Sequence, residues 1–387
     1  MKIAASFFRC FHPSPSPAKF KHMNELATDE EEEEDEAAAA GANILPNPNF
    51  RVFSHDELTA ATQGFKHKIG EGGFGSVYKG RLIGDNFIAV KVLSVELESM
   101  RGEREFISEI AALSDIKHEN LVTLKGCCIH GAQRLLVYEY MENNSLTHTF
   151  LGTEQNRKRF TWGLRKNVAL GIARGLCYLH EGVTPHIVHR DIKASNILID
   201  RDFTPKLADF GLAKLLRDNI SFISTRVAGT LGYLSPEYAY SGHLSRKSDV
   251  YSFGVLLLEI VSGRPVVEYH LQYGEQFLVE KAWELYNAKE LLILVDCELK
   301  GEMSLISEDE ALRFLKVGLL CVQEVTRLRP SMSAALKMLN NEIDAQDVEI
   351  SHPGLISDLM EVKIRPRHSS NFTSSPASSS TGSSQAR

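Results

Sequence analysis

The stretch HRDIKASN, from His189 to Asn196, sets an acid, a lysine and a carboxamide within six residues, with Ile187 and Val188 before it and Ile197 to Ile199 behind it. Apolar flanks of this kind read as a turn held between buried strands. A solvated surface loop can carry such side chains by chance, so the rest of the chain has to decide. One chemistry uses all three. A hydroxyl attacking a phosphorus needs its proton accepted by a carboxylate, which Asp191 supplies. Lys193 neutralises charge on the transferring group, and Asn196 offers a neutral oxygen to a divalent metal.

Other stretches answer the same need. Downstream, ADFG adds Asp209 as a charged metal oxygen. Mg²⁺, with Mn²⁺ as an alternative, takes few protein ligands and completes its shell with phosphate and water. Upstream, FIAVKVL alternates as a strand, with Ala89 and Lys91 on one face and Val90 and Val92 on the other. A lysine in so apolar a strand is costly to bury unpaired; phosphate oxygens and a carboxylate would pair it, and a solvated sheet edge is the alternative. Glu109 is the expected carboxylate, because it sits beside the apolar stripe of the next helix, EREFISEIAALSDI. Glu103 and Glu105, nearer that helix's start, read as solvated acids favoured by the helix dipole.

Before the lysine strand lies IGEGGFGSV: Ile69, Gly70, Glu71, Gly72, Gly73, Phe74, Gly75, Ser76 and Val77. Its G-x-G-x-x-G is weak alone. A dinucleotide fingerprint needs a helix opening within it, whereas here strand pattern continues through Val77, Tyr78 and Lys79. A β-hairpin covering phosphates fits better than an ordinary glycine-rich hairpin. Taken in order, the glycine loop, VK, HRD…N and DFG match the protein-kinase signature set.

The rest of the 387 residues frames these motifs. Eight acids between Asp29 and Glu36 account for the net charge of −7; without them 42 acids face 43 basic residues, so no basic bias points to nucleic acid. The six cysteines show no metal-ligand spacing, and Cys127 and Cys128 read as strand residues. No apolar run approaches the roughly 18 residues a membrane span needs. Lys2 stands where N-myristoylation needs glycine; Cys10, near Lys2 and Arg9, suits S-acylation, and membrane contact is expected only if it is acylated. Residues 1–50 read as a disordered acidic segment and 343–387 as a serine-rich disordered tail. Between them, 51–64 reads as a short leader helix with Ser54 and Glu57 in a capping-box pattern. Residues 65–141 read as a small antiparallel sheet with one helix, and 142–342 as a helical lobe. The fold class is α+β, in two lobes.

On these motifs, and on FSHDELTAATQGF, GEREFISEIAALSDIKHENLVTLKGCC and VAGTLGYLSPEYAYSGHLSRKSDVYSFGVLLLEIVSGRP, the chain from Phe65 to Asn341 resembles a eukaryotic protein kinase domain. Within kinases it resembles the plant receptor-like group related to the interleukin-receptor-associated and Pelle kinases. It is similar to receptor-like cytoplasmic kinases of the cold-responsive type. The resemblance implies ATP as phosphoryl donor, protein serine and threonine hydroxyls as substrates, an upstream receptor kinase as partner, and a cytoplasmic place, at the inner face of the plasma membrane if acylated. It implies that Ile69, Val77 and Ala89 pack around the adenine while Glu139 and Met141 offer it hinge backbone groups. Tyr138 would be a bulky gatekeeper, Glu237 would bridge to Arg329, and Asp249 would orient the catalytic loop. Lys193 and Thr230 resemble the serine/threonine rather than the tyrosine pattern. Ser235 replaces the alanine of the usual APE.

Arg190, directly before Asp191, is expected to want an anion. The activation segment offers Ser221, Ser224, Thr225 and Thr230, and a phosphate on Thr225, or on Ser224, would supply that charge; Thr230 is expected to shape the substrate site instead. Two rivals stand beside the enzyme: a nucleotide-binding scaffold without turnover, and an adaptor working through its tails. Intact Lys91, Asp191, Asn196 and Asp209 argue against the first.

Overall fold

A computed structural model of the chain describes residues 50–355, apart from 73–74, 85, 95–99, 269–276, 303–306 and 346–347. Cys10, the acidic run, Gly73, Phe74 and the serine-rich tail lie outside the described residues.

The first lobe is a six-stranded sheet in the order β1-β5-β6-β4-β3-β2. The strands are β1 (Arg51–Val52), β2 (Lys68–Gly72), β3 (Gly75–Arg81), β4 (Phe87–Ser94), β5 (Leu124–His130) and β6 (Gln133–Glu139). All neighbours pair antiparallel except β1, which runs parallel to β5. The antiparallel sheet expected over 65–141 is present as β2 to β6, and the leader adds to it a parallel edge strand too short for any period-2 signal. Gly126 permits that edge: a Cβ there would lie 1.9 Å from the Arg51 carbonyl oxygen.

Strand alternation gives the sheet two apolar faces. On one, Ile88, Val90, Cys128, Leu135 and Val137 pack with Phe53 and Leu58 of the leader. Leu58 belongs to α1 (His55–Ala61). Ser54 caps α1 through a bond from the Glu57 N–H, but the capping box is half made, since Glu57 spends its carboxylate on Arg51. On the other face, Leu93, Cys127, Leu136 and Tyr138 meet Phe106 and Ile110 of α2 (Arg101–Leu113). Cys127 and Cys128 are thus packed strand residues on opposite faces.

The second lobe is helical, with α3 (Glu154–Arg159), α4 (Trp162–Cys177), α5 (Pro236–Ser241), α6 (Arg246–Ser262), α7 (Leu278–Asn287), α8 (Glu308–Cys321) and α9 (Met332–Leu339). Val168, Ile172 and Leu176 form the buried stripe of α4, as their spacing predicts. From Ser248 to Ser262 every residue of α6 is buried, which is why its sequence is apolar nearly all round. Helix α3 buries no residue and so carries no apolar stripe, while α9, with Met332, Ala335 and Leu339 buried on one face, was too short to stand out in the sequence.

Three two-stranded ladders then fix the loops that matter. β7 (His186–Val188) pairs β10 (Lys214–Leu216), β8 (Ile197–Ile199) pairs β9 (Pro205–Leu207), and β11 (Ile223–Ser224) pairs β12 (His243–Leu244). HRDIKASN is the connection from β7 to β8, and ADFG the connection from β9 to β10. Two short ladders thus clamp Asp191 and Asp209 on neighbouring turns.

Candidate active site

Lys91 of β4 reaches out of the sheet to two acids. Its Nζ lies 2.6 Å from Glu109 Oε1 on α2 and 2.7 Å from Asp209 Oδ1. Burial alone would lower the lysine's pKa, but the two carboxylates outweigh it and hold the ammonium well above its ordinary value. Burial likewise pushes Asp209 up, and the Lys91 charge and hydrogen bond, aided by His189 and Lys193, bring it below the usual carboxylate range. Glu109 is fully buried, and its second oxygen accepts the Tyr138 hydroxyl. The expected gatekeeper therefore also braces the α2 acid.

The reading of Glu103 and Glu105 as solvated acids is corrected. Glu105 is 3% exposed, its Oε1 lies 2.9 Å from Arg101 Nε, and burial pushes its carboxyl up. Glu103 lies 2.6 Å from Arg134 on β6. The first turn of α2 lies against the protein, so the helix-dipole argument, right for a free end, was overridden by packing.

Asp249, at the start of α6, builds the catalytic loop from beneath. Its carboxylate accepts the His189 and Arg190 N–H groups at 2.8 and 2.9 Å, and His180 Nε2 lies 2.9 Å away. Arg190 (φ +72°) and Asp209 (φ +66°) both hold left-handed backbone, a cost typical of functional turns and sustained by surrounding bonds. Asp191 is 4% exposed. Its Oδ1 accepts the Thr230 hydroxyl at 2.7 Å; its Oδ2 lies 2.8 Å from Lys193 Nζ and accepts Asn196 Nδ2 at 3.0 Å. Lys193 Nζ also donates to Thr230 Oγ1 at 2.7 Å. Carboxylate, ammonium and hydroxyl thus form one closed triangle.

Arg190 departs from expectation. Its guanidinium donates to the Tyr238 hydroxyl (2.6 Å) and to the Leu212 and Arg226 carbonyls (3.0 and 2.9 Å). Neutral acceptors, not an anion, fill most of its donors.

A divalent cation fits the donor set that remains. Asn196 turns its amide nitrogen to Asp191, which leaves its carbonyl oxygen for a hard metal beside the Asp209 carboxylate. Among the described residues no group of three or more His, Cys, Asp or Glu forms an all-protein cage. Two oxygens suit a cation completed by phosphate and water.

Around the nucleotide position, Gly72 pairs with Gly75 across the β2–β3 hairpin. Gly75 holds φ +138°, and a Cβ there would lie 2.1 Å from the Val92 carbonyl oxygen, so only glycine turns the hairpin this close to β4. Val77 and Ala89 are half-buried, Ile69 is exposed at the cleft edge and Met141 is buried. Glu139 spends its carboxylate on the Thr123 N–H (2.8 Å) and Lys206 (2.9 Å), which anchors the hinge to the second lobe.

Glu237 and Arg329 form a bidentate pair, both contacts 2.8 Å. Sequence reasoning missed Glu259. It lies on α6, 1% exposed, accepts the Tyr233 hydroxyl at 2.6 Å and the Val266 N–H at 2.8 Å, and burial pushes its carboxyl up to about 7. Its apolar neighbours in sequence gave only the hint that an acid inside a buried helix needs partners.

Comparison with known proteins agrees with this geometry. The protein kinase domain family model matches residues 64–339. The chain is similar to Cold-responsive protein kinase 1 of Arabidopsis thaliana, 51% identical over 87% of this chain and 88% of that protein. It is 69% identical to a putative serine/threonine-protein kinase of Helianthus annuus, over 54% of this chain and 86% of that one. A probable LRR receptor-like serine/threonine-protein kinase of Arabidopsis thaliana is 47% identical over 79% of this chain, which spans 29% of that protein's length. The chain belongs to the protein kinase family and is an ATP-dependent serine/threonine kinase of the receptor-like group.

Proposed function

We propose that Asp191 accepts the proton of a protein serine or threonine hydroxyl as that oxygen attacks the γ-phosphorus of ATP. Lys193 offsets charge growing on the transferred group, and Thr230 holds both side chains in register. Lys91, fixed by Glu109, binds the nucleotide phosphates. Asn196 and Asp209 would hold Mg²⁺, or Mn²⁺, whose charge screens the phosphate oxygens. Ile69 to Val77 cover the phosphates, while Ala89 and the Glu139–Met141 backbone receive the base. Each group acts by position and charge, which is most of what phosphoryl transfer requires.

The observation that carries this reading is the Lys91 ammonium held between Glu109 and Asp209 at 2.6 and 2.7 Å, beside a carboxylate bonded to Asn196. Nucleotide binding tests it. ATP should bind the chain more tightly with Mg²⁺ than without, and Asp209→Asn should abolish that difference while metal-free binding persists. An Asp209→Asn chain with undiminished Mg²⁺ dependence would refute the metal assignment.

Activation is proposed to follow phosphorylation of Thr225, with Ser224 able to substitute. If Thr225→Ala in a chain lacking phosphate on Ser224 keeps full activity, that proposal fails. The likeness to receptor-like kinases supports an upstream receptor kinase as partner. Among the described residues no helix is long and apolar enough to cross a membrane; attachment to the inner face of the plasma membrane through Cys10 is proposed only for an acylated chain.

A further inference from the structure

Outside the catalytic cleft, a groove of about 730 Å³ opens between the activation segment and the second lobe, walled by Ser221, Phe222, His243, Arg246, Lys247 and Arg327. None of Lys91, Asp191, Asn196 and Asp209 lines it. Its charge is unbalanced. Two acids line it, Glu181 and Glu237, and Glu237 is taken by Arg329 at 2.8 Å on both oxygens. Glu181 accepts the Ser333 N–H at 3.3 Å. Among the described residues, none of the three cations forms an ion pair with a carboxylate, although the Glu181 charge acts on Lys247. Arg246 donates to the His180 carbonyl at 2.8 Å, and Lys247 to the Arg329 carbonyl, both neutral acceptors. Arg327 is exposed and, among the described residues, pairs with no carboxylate. Burial holds the Lys247 ammonium below its ordinary pKa, with the Arg329 and Arg246 charges adding to it and Cys321 and Glu181 opposing it. An anion in the groove would relieve all three.

Ser221 is the hydroxyl placed to carry one. It is exposed, and the chain just beyond it is pinned to the groove wall. The Phe222 ring lies 4.9 Å from that of His243, and Ile223 and Ser224 pair with Leu244 and His243. That wall runs into Ser245, the N-cap of α6, whose dipole also favours negative charge. Ser224 and Thr225 do not line the groove, and Arg190's donors are largely spent on neutral acceptors.

We propose that Ser221 is a phosphorylation site whose phosphate is held by Arg246, Lys247 and Arg327 in this groove, not by Arg190. As the source of the phosphoryl group, the proposal rests on the kinase reading above. The Ser221 oxygen of one copy forms a bond to the γ-phosphorus of ATP in a second copy. The γ-phosphorus–oxygen bond to ADP breaks, and the serine proton passes to that copy's Asp191. Docked, the phosphate fixes the segment ahead of β11.

Two arms test this on the full chain. In the first, wild-type chain incubated with Mg²⁺ and ATP is mapped by mass spectrometry, and phosphate is expected on Ser221. A chain that labels a generic protein substrate but never Ser221 overturns the proposal and leaves the kinase reading intact. In the second, phosphoserine is installed at 221 during translation in an Asp191→Asn chain, so no activity is needed. Charge-assisted bonds of this kind should slow removal by alkaline phosphatase about tenfold relative to the same chain carrying Arg327→Gln and Arg246→Gln. Arg327→Gln alone, at an exposed position, should show part of that loss without affecting folding. Equal removal rates in all three chains overturn the dock, whatever the first arm gives.

Discussion

Replacing Glu259 with glutamine should stabilise the chain above neutral pH and leave it unchanged in acid. The carboxyl is buried in α6 and pushed up to about 7, from an ordinary value of 4.5. Between those pH values the folded chain keeps a proton that the unfolded chain has released. The contribution of this group is therefore fully present below pH 4.5 and lost as pH rises through 7. At 1.36 kcal/mol for each unit, the loss is about 3 kcal/mol at pH 8. Glutamine carries no charge, so it escapes that loss. It also keeps the local bonds: its carbonyl can accept the Val266 N–H, and its amide can donate to the Tyr233 oxygen, the two groups that Glu259 now meets at 2.8 and 2.6 Å. Urea unfolding of both chains, run at pH 4 and at pH 8, gives the difference free of other titrating groups. The reasoning predicts equal midpoints at pH 4 and a higher midpoint for Glu259→Gln at pH 8. A difference that is flat across pH, or a glutamine variant less stable at pH 8, would refute it.

Tyr138→Phe removes the hydroxyl that braces Glu109 and should cost about 2 kcal/mol, the worth of a buried bond to a charged group; an unchanged urea midpoint would count against that brace. Arg329→Met strands the Glu237 carboxylate and the Gln323 carbonyl, which Arg329 Nε meets at 2.7 Å. It should cost about 3–5 kcal/mol, with part recovered when Glu237→Gln is added in a double-mutant cycle. Gly126→Ala drives a Cβ into the Arg51 carbonyl, so β1 should leave β5 at a cost of about 1–3 kcal/mol. Limited proteolysis between residues 51 and 64 should then accelerate, and an unaltered rate would show that the edge strand is dispensable.

The groups proposed to act in catalysis were legible because their chemistry depends on local spacing. HRD…N, ADFG and the strand lysine each announce themselves within a few residues, and two short ladders hold the first two on adjoining turns. The stripes of α2 and α4 were legible for the same reason, since a helical period is a local property. Glu105 was misread because nothing in the first turn of α2 says which side of it meets the protein. Arg190's partners, the Leu212 and Arg226 carbonyls and the Tyr238 hydroxyl, lie 22 to 48 residues away in sequence, and backbone carbonyls leave no residue-type signal. The parallel pairing of β1 rests on two residues and a glycine 75 positions later. Glu259 and Tyr233, 26 residues apart, meet only once α6 is buried.

Incorporation of labelled phosphate from ATP into a generic basic protein substrate, with Mg²⁺, by wild-type chain beside Asp191→Asn, weighs the phosphoryl-transfer mechanism as a whole. Loss of the proton acceptor should lower the rate by about 10²–10⁴-fold while metal-free ATP binding stays intact, because Asp191 meets Asn196 but touches neither Lys91 nor Glu109. Incorporation by Asp191→Asn at the wild-type rate would contradict the role given to that carboxylate and, with it, the reading of HRDIKASN.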